Sequence, residues 1–403
     1  MDASLLIIGA GPAGLLAALA AARRRLPHGV LVVDRLPAAG AKLAVSGGGR
    51  GNLSHAATEE EFASAWGRNG RFTVPAFRAL PPDALRALLA EIGIATVVDP
   101  SGRVYPRSQS AAHARDALVA ACTRAGVRFV FDRAVQNLLP PETPESPWTT
   151  DSFSARAVLL AAGGQSAPRL GSDGSGFALA HALGYDIVPP VPALTSLRTA
   201  ETWPATHSGL SLPDATIAVA GPRGVAERGE LLFTHRGVSG PAVLNLSGRI
   251  ARLLREGKPV PLELNLIHDK PDFQALRRDA GARAVLAWLA RSLPRALAGT
   301  ILELAGIPAD LTFSRLSAAQ EKELTRHLVA MPLTVRNTGG FDDSMATSGG
   351  VSLKQVRPDT LEGRLTPRLH FAGEVLDLDG PTGGWNLQWA FCSGFLAGSA
   401  ADA

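Results

Sequence analysis

The chain has 403 residues, 46% of them hydrophobic, and a formal net charge of only +4. That length exceeds one compact core and suits two or three domains. The small, dispersed charge argues against a dedicated nucleic-acid partner. The only two cysteines, Cys122 and Cys392, form no CxxC pair, which argues against a disulfide framework, a cysteine zinc site and a dithiol redox centre.

The apolar run from Leu5 to Ala22 resembles a signal segment in length. Gly9, Gly11, Pro12 and Gly14 interrupt it, and its basic cluster Arg23–Arg25 follows rather than precedes it. No other run approaches the ~20 apolar residues of a membrane span. The expectation is a soluble, cytoplasmic protein.

Residues 4–8 read as a buried parallel strand, and Gly9-Ala10-Gly11-Pro12-Ala13-Gly14 follows at once. A helix follows from Leu15 to Arg25, then a second buried strand over 30–33 ending in Asp34 and Arg35. Residues 42–55 read as a Gly-rich loop. Helices are predicted over 82–92 and 110–125, a hairpin over 97–105, and strands over 127–131 and 155–162. After Pro189-Pro190 the pattern turns to short alternating β runs such as 216–219 and 262–266. Residues 271–330 read as helical. The chain ends with a strand over 368–372, the pair Gly373-Glu374, a glycine turn, and a helix over 387–400.

The GxGxxG of Gly9, Gly11 and Gly14 is a weak signal alone. Between a strand and a helix, with Asp34 twenty residues beyond Gly14, it is the dinucleotide fingerprint. Gly9 permits the turn, Gly11 lets backbone approach a pyrophosphate, and Gly14 lets helix and strand pack. The N-terminus of the helix that follows offers free N–H groups to phosphates, with Pro12 and Ala13 as neighbouring cofactor contacts. Asp34 is placed to accept from ribose hydroxyls.

That fingerprint leaves NAD and FAD open, and the far end of the chain decides for FAD. Glu374 follows a short buried strand, where it can hold a ribityl hydroxyl. Gly383, Gly384, Asn386 and Leu387 open a helix whose N-terminus can face the flavin edge. Ala162, Gly163 and Gly164 end a strand where a ligand would pass. In the loop that starts at Lys42, the candidate cofactor contacts are Lys42, Ser46, Gly47, Gly48, Gly49, Arg50 and Asn52; three consecutive glycines cost chain entropy unless backbone must approach something closely, and Lys42 and Arg50 can meet phosphates or the flavin edges.

These stretches resemble the aminoacetone-oxidase-type (BaiN-like) FAD-binding family of the two-dinucleotide-binding-domain superfamily. The matches are SGGGRGN at 46–52, GRVYPRS at 102–108, LAAGGQSAP at 160–168, GSDGSGFALAHALGY at 171–185, GELLFTHRGVSGP at 229–241 and AGEVLDLDGPTGGWNLQWAFCSG at 372–394. They run in family order over nearly the whole chain. The resemblance implies that the 42–52 loop lines the isoalloxazine site. Gly51 departs from the family, whose loop more often carries Cys, so a thiol mechanism in that loop is in doubt.

The expected fold is α/β: a doubly wound Rossmann-type FAD domain built from both chain ends (1–190 and 333–403), an inserted mixed β domain (191–265) and a helical cap (266–332). No second strand-GxGxxG-helix unit is visible, so NAD(P)H is expected only as a transient reductant. The expected function is an FAD-dependent oxidoreductase acting on a small organic substrate. Within it, the resemblance implies oxidation of an amine with oxygen as acceptor, or NAD(P)H-dependent reduction of a conjugated double bond. A flavin-using RNA-modification factor is a third reading, resting on the arginines of 277–295. His235, Arg236 and Tyr105 are the candidate catalytic residues. No metal site is expected.

Overall fold

Ala3–Ile8 and Val30–Val33 are apolar without alternation, so each needs cover on both faces. In the computed structural model, which describes residues 1–221, 224–267 and 269–401, they lie side by side in parallel, Leu5 opposite Val30. Ser154–Leu160 flanks Ala3–Ile8 on the other side, also in parallel, with Leu5 opposite Ala157. Arg128–Val130 extends one edge, and Trp148–Thr150 with Leu138–Leu139 extends the other. Leu369–Phe371, from the far end of the chain, pairs in parallel with Ser154–Leu160. The expectation that both chain ends build one Rossmann-type domain therefore holds.

The first helix, Pro12–Ala22, is buried nearly all round. One face meets the sheet, and the last helix, Trp385–Ala400, covers another. The seam between the two is made of small residues. A Cβ at Gly394 would lie 2.1 Å from the carbonyl oxygen of Ala13, and one at Gly398 would lie 2.3 Å from that of Ala17. The four-residue step is the same on both helices, so they run in the same direction. Both helices begin earlier than the sequence pattern suggests, the first at Pro12 after Gly11 and the last at Trp385 after Gly384.

The chain divides into two compact units, Met1–Ala193 with Phe341–Ala403, and Leu194–Gly340. Where the chain leaves and re-enters the first unit, Ile187–Ala193 pairs antiparallel with Ala346–Val351. The second unit is a closed six-stranded barrel in the order Leu197–Thr199, Gly237–Ser239, Ala226–Thr234, Ser211–Val219, Val260–Asn265, Met331–Thr338. Its inward residues alternate with outward ones, as in Leu231 and Phe233 or Leu262 and Leu264.

Two features differ from the sequence reading of this region. The helices between 273 and 329 share one hydrophobic cluster with the barrel strands. Residues 331–338 belong to the barrel, because closing it needs a sixth strand that pairs with both Val260–Asn265 and Leu197–Thr199.

Among the described residues, no helix is long and apolar enough to cross a membrane.

Candidate functional site

Gly9 follows the first strand at φ +108°. A side chain there would strike the carbonyl of Ala161 at 2.4 Å, and one at Gly14 would strike the carbonyl of Gly9 at 1.9 Å. Gly11 differs, since a Cβ there meets nothing within 4 Å. Its backbone surface is open, as close approach by a ligand requires. No side chain caps the first helix, and its first backbone bond runs from Leu15 N to Gly11 O. The amides of Ala13 and Gly14 therefore precede the helical ladder. Asp34 accepts from Ala10 N at 2.6 Å and Leu36 N at 2.8 Å. It thus pins the glycine turn and keeps lone pairs for a further donor. Arg35 forms an ion pair with Asp173.

The glycine-rich stretch is more ordered than a loop. Ala41–Val45 is a short helix, and Ser46–Gly49 a tight turn with Gly47 and Gly48 in left-handed conformations. Ser46 closes the helix by donating to Leu43 O. Arg50 lies over the Tyr105 ring, 4.7 Å from its centroid, and donates to its hydroxyl at 3.3 Å. Gly51 sits at φ +81°, and a Cβ there would press on Ala111 Cα and Pro106 Cδ at 3.1 and 3.2 Å. The departure from the family's Cys thus coincides with a position that has little room for a side chain. Asn52, with its amide oriented to satisfy both neighbours, donates to Ser54 O at 3.1 Å and accepts from Gly384 N at 3.2 Å. It ties this segment to the start of the last helix.

Gly384, at φ +100°, is the N-cap of that helix, and no classical side-chain cap follows it. Asn386 fastens the preceding turn, accepting from Gly380 N and donating to Gly380 O, both at 2.9 Å. Leu387 lies in the helix's first turn and packs against the core of this unit. Because Gly394 sits opposite Ala13, the last helix begins nine residues before that crossing, about 13 Å along its axis. Two helix N-termini thus open on one side of the sheet, offset along the seam. One suits phosphates, and the other suits a ring that gains negative charge.

Between them lies Glu374. Lys42 Nζ donates to its Oε2 at 2.7 Å, while Ser166 Oγ and Thr347 N donate to Oε1 at 2.6 Å each. Burial pushes this carboxyl up, but the charge of Lys42 and the hydrogen bonds from Lys42, Ser166 and Thr347 hold it below its ordinary value. A side chain at Gly164 would strike Thr347 Oγ1 at 2.4 Å, and Gly163 takes φ +77° beside Ser172. Ala162 is half-buried against the same core.

Ser166, Thr347 and Ser348 are fully buried, and Ser348 donates to Asp379. None of these three, nor Asp379, stands out in the sequence. Ser166 and Asp379 lie unmarked within the stretches 160–168 and 372–394, and the one signal for Thr347 and Ser348 is the small-polar run Thr347-Ser348-Gly349-Gly350 in an otherwise apolar strand.

Of the catalytic candidates, Tyr105 is buried in the first unit. His235 and Arg236 are exposed at the hairpin turn between Ala226–Thr234 and Gly237–Ser239 in the second. Both thiols are buried. Burial pushes Cys122 up to about 12 and Cys392 higher still.

The profile described as the HI0933-like protein Rossmann domain matches residues 3–400. The chain belongs to this family. It is 33% identical over 407 residues to the 3-dehydro-bile acid delta(4,6)-reductase of Clostridium scindens, covering 98% of each chain. It is 30% identical to the ribosomal RNA dihydrouridine synthase of Escherichia coli, covering 96% of this chain and 95% of that one. Among solved structures it resembles the 3-ketosteroid delta1-dehydrogenase of Sterolibacterium denitrificans, with a TM-score of 0.55, 15% identity and 99% of each chain covered. It also resembles a flavocytochrome c3 fumarate reductase, with a TM-score of 0.52, 18% identity, and 99% of this chain and 78% of that one covered. At such identities these two likenesses speak to the fold.

The chain is an FAD-dependent oxidoreductase with a Rossmann-type fold, and FAD is its cofactor. The residues present fit that group. The open surface at Gly11, the two helix N-termini and their offset suit a cofactor extended from pyrophosphate to ring.

Proposed function

We propose that this chain reduces a carbon–carbon double bond conjugated to a carbonyl group in a small organic molecule, with NAD(P)H as the reductant. The observation that carries this is the shared chemistry of the relatives' names. A delta(4,6)-reductase acting on a 3-dehydro bile acid and a synthase making dihydrouridine both describe hydrogen added across such a bond. Oxidation of an amine, the other reading of the sequence, has no counterpart in those names.

When bound, FAD supplies the two-electron chemistry. The protein groups then have separate tasks. In this reading the turn at Gly9, Gly11 and Gly14 and the first helix hold the phosphates. The 42–52 segment and the last helix hold the ring. The reduced bond also needs a proton. Tyr105 Oη accepts from Arg50 and has no acceptor for its own proton among the described residues, so it can donate one. Arg236 and His235, both exposed, are the alternatives.

The test is anaerobic. NADH or NADPH should bleach the flavin band, and a 3-oxo-4-ene or 3-oxo-4,6-diene steroid should restore it. Bleaching by primary amines but not by either nicotinamide would reverse the reading in favour of amine oxidation.

A second reading, reduction of a base within RNA, has its own observation. Contrary to the dispersed charge expected above, residues 194–340 hold the chain's whole excess of Lys and Arg over Asp and Glu. Arg283, Arg291, Arg295 and Arg315 are exposed there, with no acidic partner among the described residues. Against it, Arg277 pairs with Glu321 and Arg278 with Asp279. A gel shift of ribosomal RNA that weakens steeply with salt would favour this reading, and no shift at low salt would remove it.

A further inference from the structure

Lys42, Ser166, Thr347 and Glu374 come from four distant segments and meet on one carboxylate. The hydrogen-bonding capacity of this cluster is almost used, but not fully. Glu374 Oε1 takes two donors, from Ser166 Oγ and Thr347 N. Its Oε2 takes one, from Lys42. Lys42 Nζ has three N–H groups and uses two, on Glu374 Oε2 and on Ser166 Oγ at 2.6 Å. One donor and one acceptor therefore remain, side by side. Both side chains keep a little exposed surface, 24% for Lys42 and 22% for Glu374.

The cluster's position is fixed by Gly373. A Cβ there would lie 2.9 Å from Ala13 Cβ, at the start of the first helix. Ser393 Oγ accepts from Gly373 N, and Trp389 Nε1 donates to Gly373 O. Residues 389–393 lie along the last helix between its N-terminus and the crossing at Gly394. The free donor and acceptor thus sit between the two helix N-termini, beside where the stretch that joins the phosphates of FAD to its ring would run. That stretch is a polyol. A hydroxyl is at once an acceptor and a donor, so it complements one spare N–H beside one spare lone pair.

We propose that Lys42 is a cofactor-positioning residue, which fixes the Glu374 carboxylate and, together with it, clasps a ribityl hydroxyl of FAD. Glu374 then does not act as a lone acceptor, and the ion pair is part of the cradle. The inference rests on FAD being the cofactor and does not depend on which substrate is reduced.

Lys42→Met alone would leave a buried carboxylate unpaired and weaken the fold as well. The decisive variant is therefore Lys42→Met combined with Glu374→Gln, which removes both charges together. Apoprotein is titrated with FAD by fluorescence quenching, and its melting is followed by circular dichroism. The expected result is apoprotein melting close to wild type, with FAD bound at least tenfold more weakly. Binding within threefold of wild type would overturn the proposal and leave the pair a structural tie. Should the double variant not fold, Lys42→Arg decides. It keeps the charge beside Glu374 but moves the N–H groups. FAD binding at least fivefold weaker, at unchanged melting, supports the clasp, and unchanged affinity overturns it.

Discussion

Gly11 allows the fold and the cofactor to be tested separately. A Cβ there meets no atom within 4 Å. Its backbone, at φ −73° and ψ −177°, is extended and open to any residue. Gly11→Ala therefore costs the fold little. Alanine is a poorer N-cap than glycine by about 0.5–1 kcal/mol. Stiffening the unfolded chain offsets this by about 0.4–1 kcal/mol. The methyl group nonetheless stands where a pyrophosphate would approach the amides of Ala13 and Gly14. Losing one charge-assisted hydrogen bond there costs roughly 1.5–3 kcal/mol, which is about ten- to hundredfold in affinity. The assay is a titration of apoprotein with FAD, alongside thermal melting of the same sample. Gly14→Ala is the contrast, since its Cβ would lie 1.9 Å from Gly9 O and should cost the fold itself. If Gly11→Ala binds FAD like wild type, the first helix does not hold the phosphates as argued.

Three further outcomes are expected. Gly394→Ala forces a methyl to 2.1 Å from the Ala13 carbonyl and should cost about 1–3 kcal/mol, lowering melting by roughly 2–4 °C per kcal/mol. An unchanged melting point would show that the seam can open freely. Burial pushes the His207 imidazole below its ordinary 6.5. Its ring meets Thr300 Oγ1 at 2.9 Å and lies among Trp203 and Phe233. The unfolded chain then binds the proton more readily than the folded one. The barrel unit's stability should therefore be full above pH 6.5 and fall as pH drops below it. His207→Gln should flatten that part of a denaturation-against-pH profile, and an unaltered profile would count against the assignment. Finally, Cys122 and Cys392 should resist a thiol-reactive dye in the native state and react in denaturant. Rapid native labelling would contradict their burial.

The parts of the site that can be read in sequence are those where one local pattern has one physical solution. The strand before Gly9, the turn and the helix after it form such a pattern, as does the glycine turn before the last helix. The Lys42–Asn52 stretch was harder, because three glycines mask the short helix Ala41–Val45 beside them. The roles of Ser166 and Thr347 are not legible in the sequence. A single buried Ser or Thr carries no periodicity, and its role here comes from partners about 180 or 208 residues away. The barrel was hidden for the same reason. Alternation shows that Ser211–Val219 and Val260–Asn265 are strands, but not that Leu197–Thr199 closes the ring against Met331–Thr338.

That dependence on distant partners has a consequence for the cofactor. Each segment expected to touch FAD is held by another from far along the chain. Asn52 holds Gly384, Lys42 holds Glu374, Thr347 takes the amides of Gln165 and Ser166, and Gly373 rests on Ala13. No one of these segments can form its part of the cradle alone, so the unfolded chain has no comparable affinity for FAD. A ligand that binds only the folded state adds RT ln(1 + [L]/Kd) to its stability, about 2.7 kcal/mol at a hundredfold excess over Kd. In the proposed mode of binding the two ends of the chain are therefore joined twice, by the small-residue seam between their helices and by a cofactor that would lie across both. A change that loosens the seam must weaken FAD binding as well, because the seam sets the offset between the two helix N-termini.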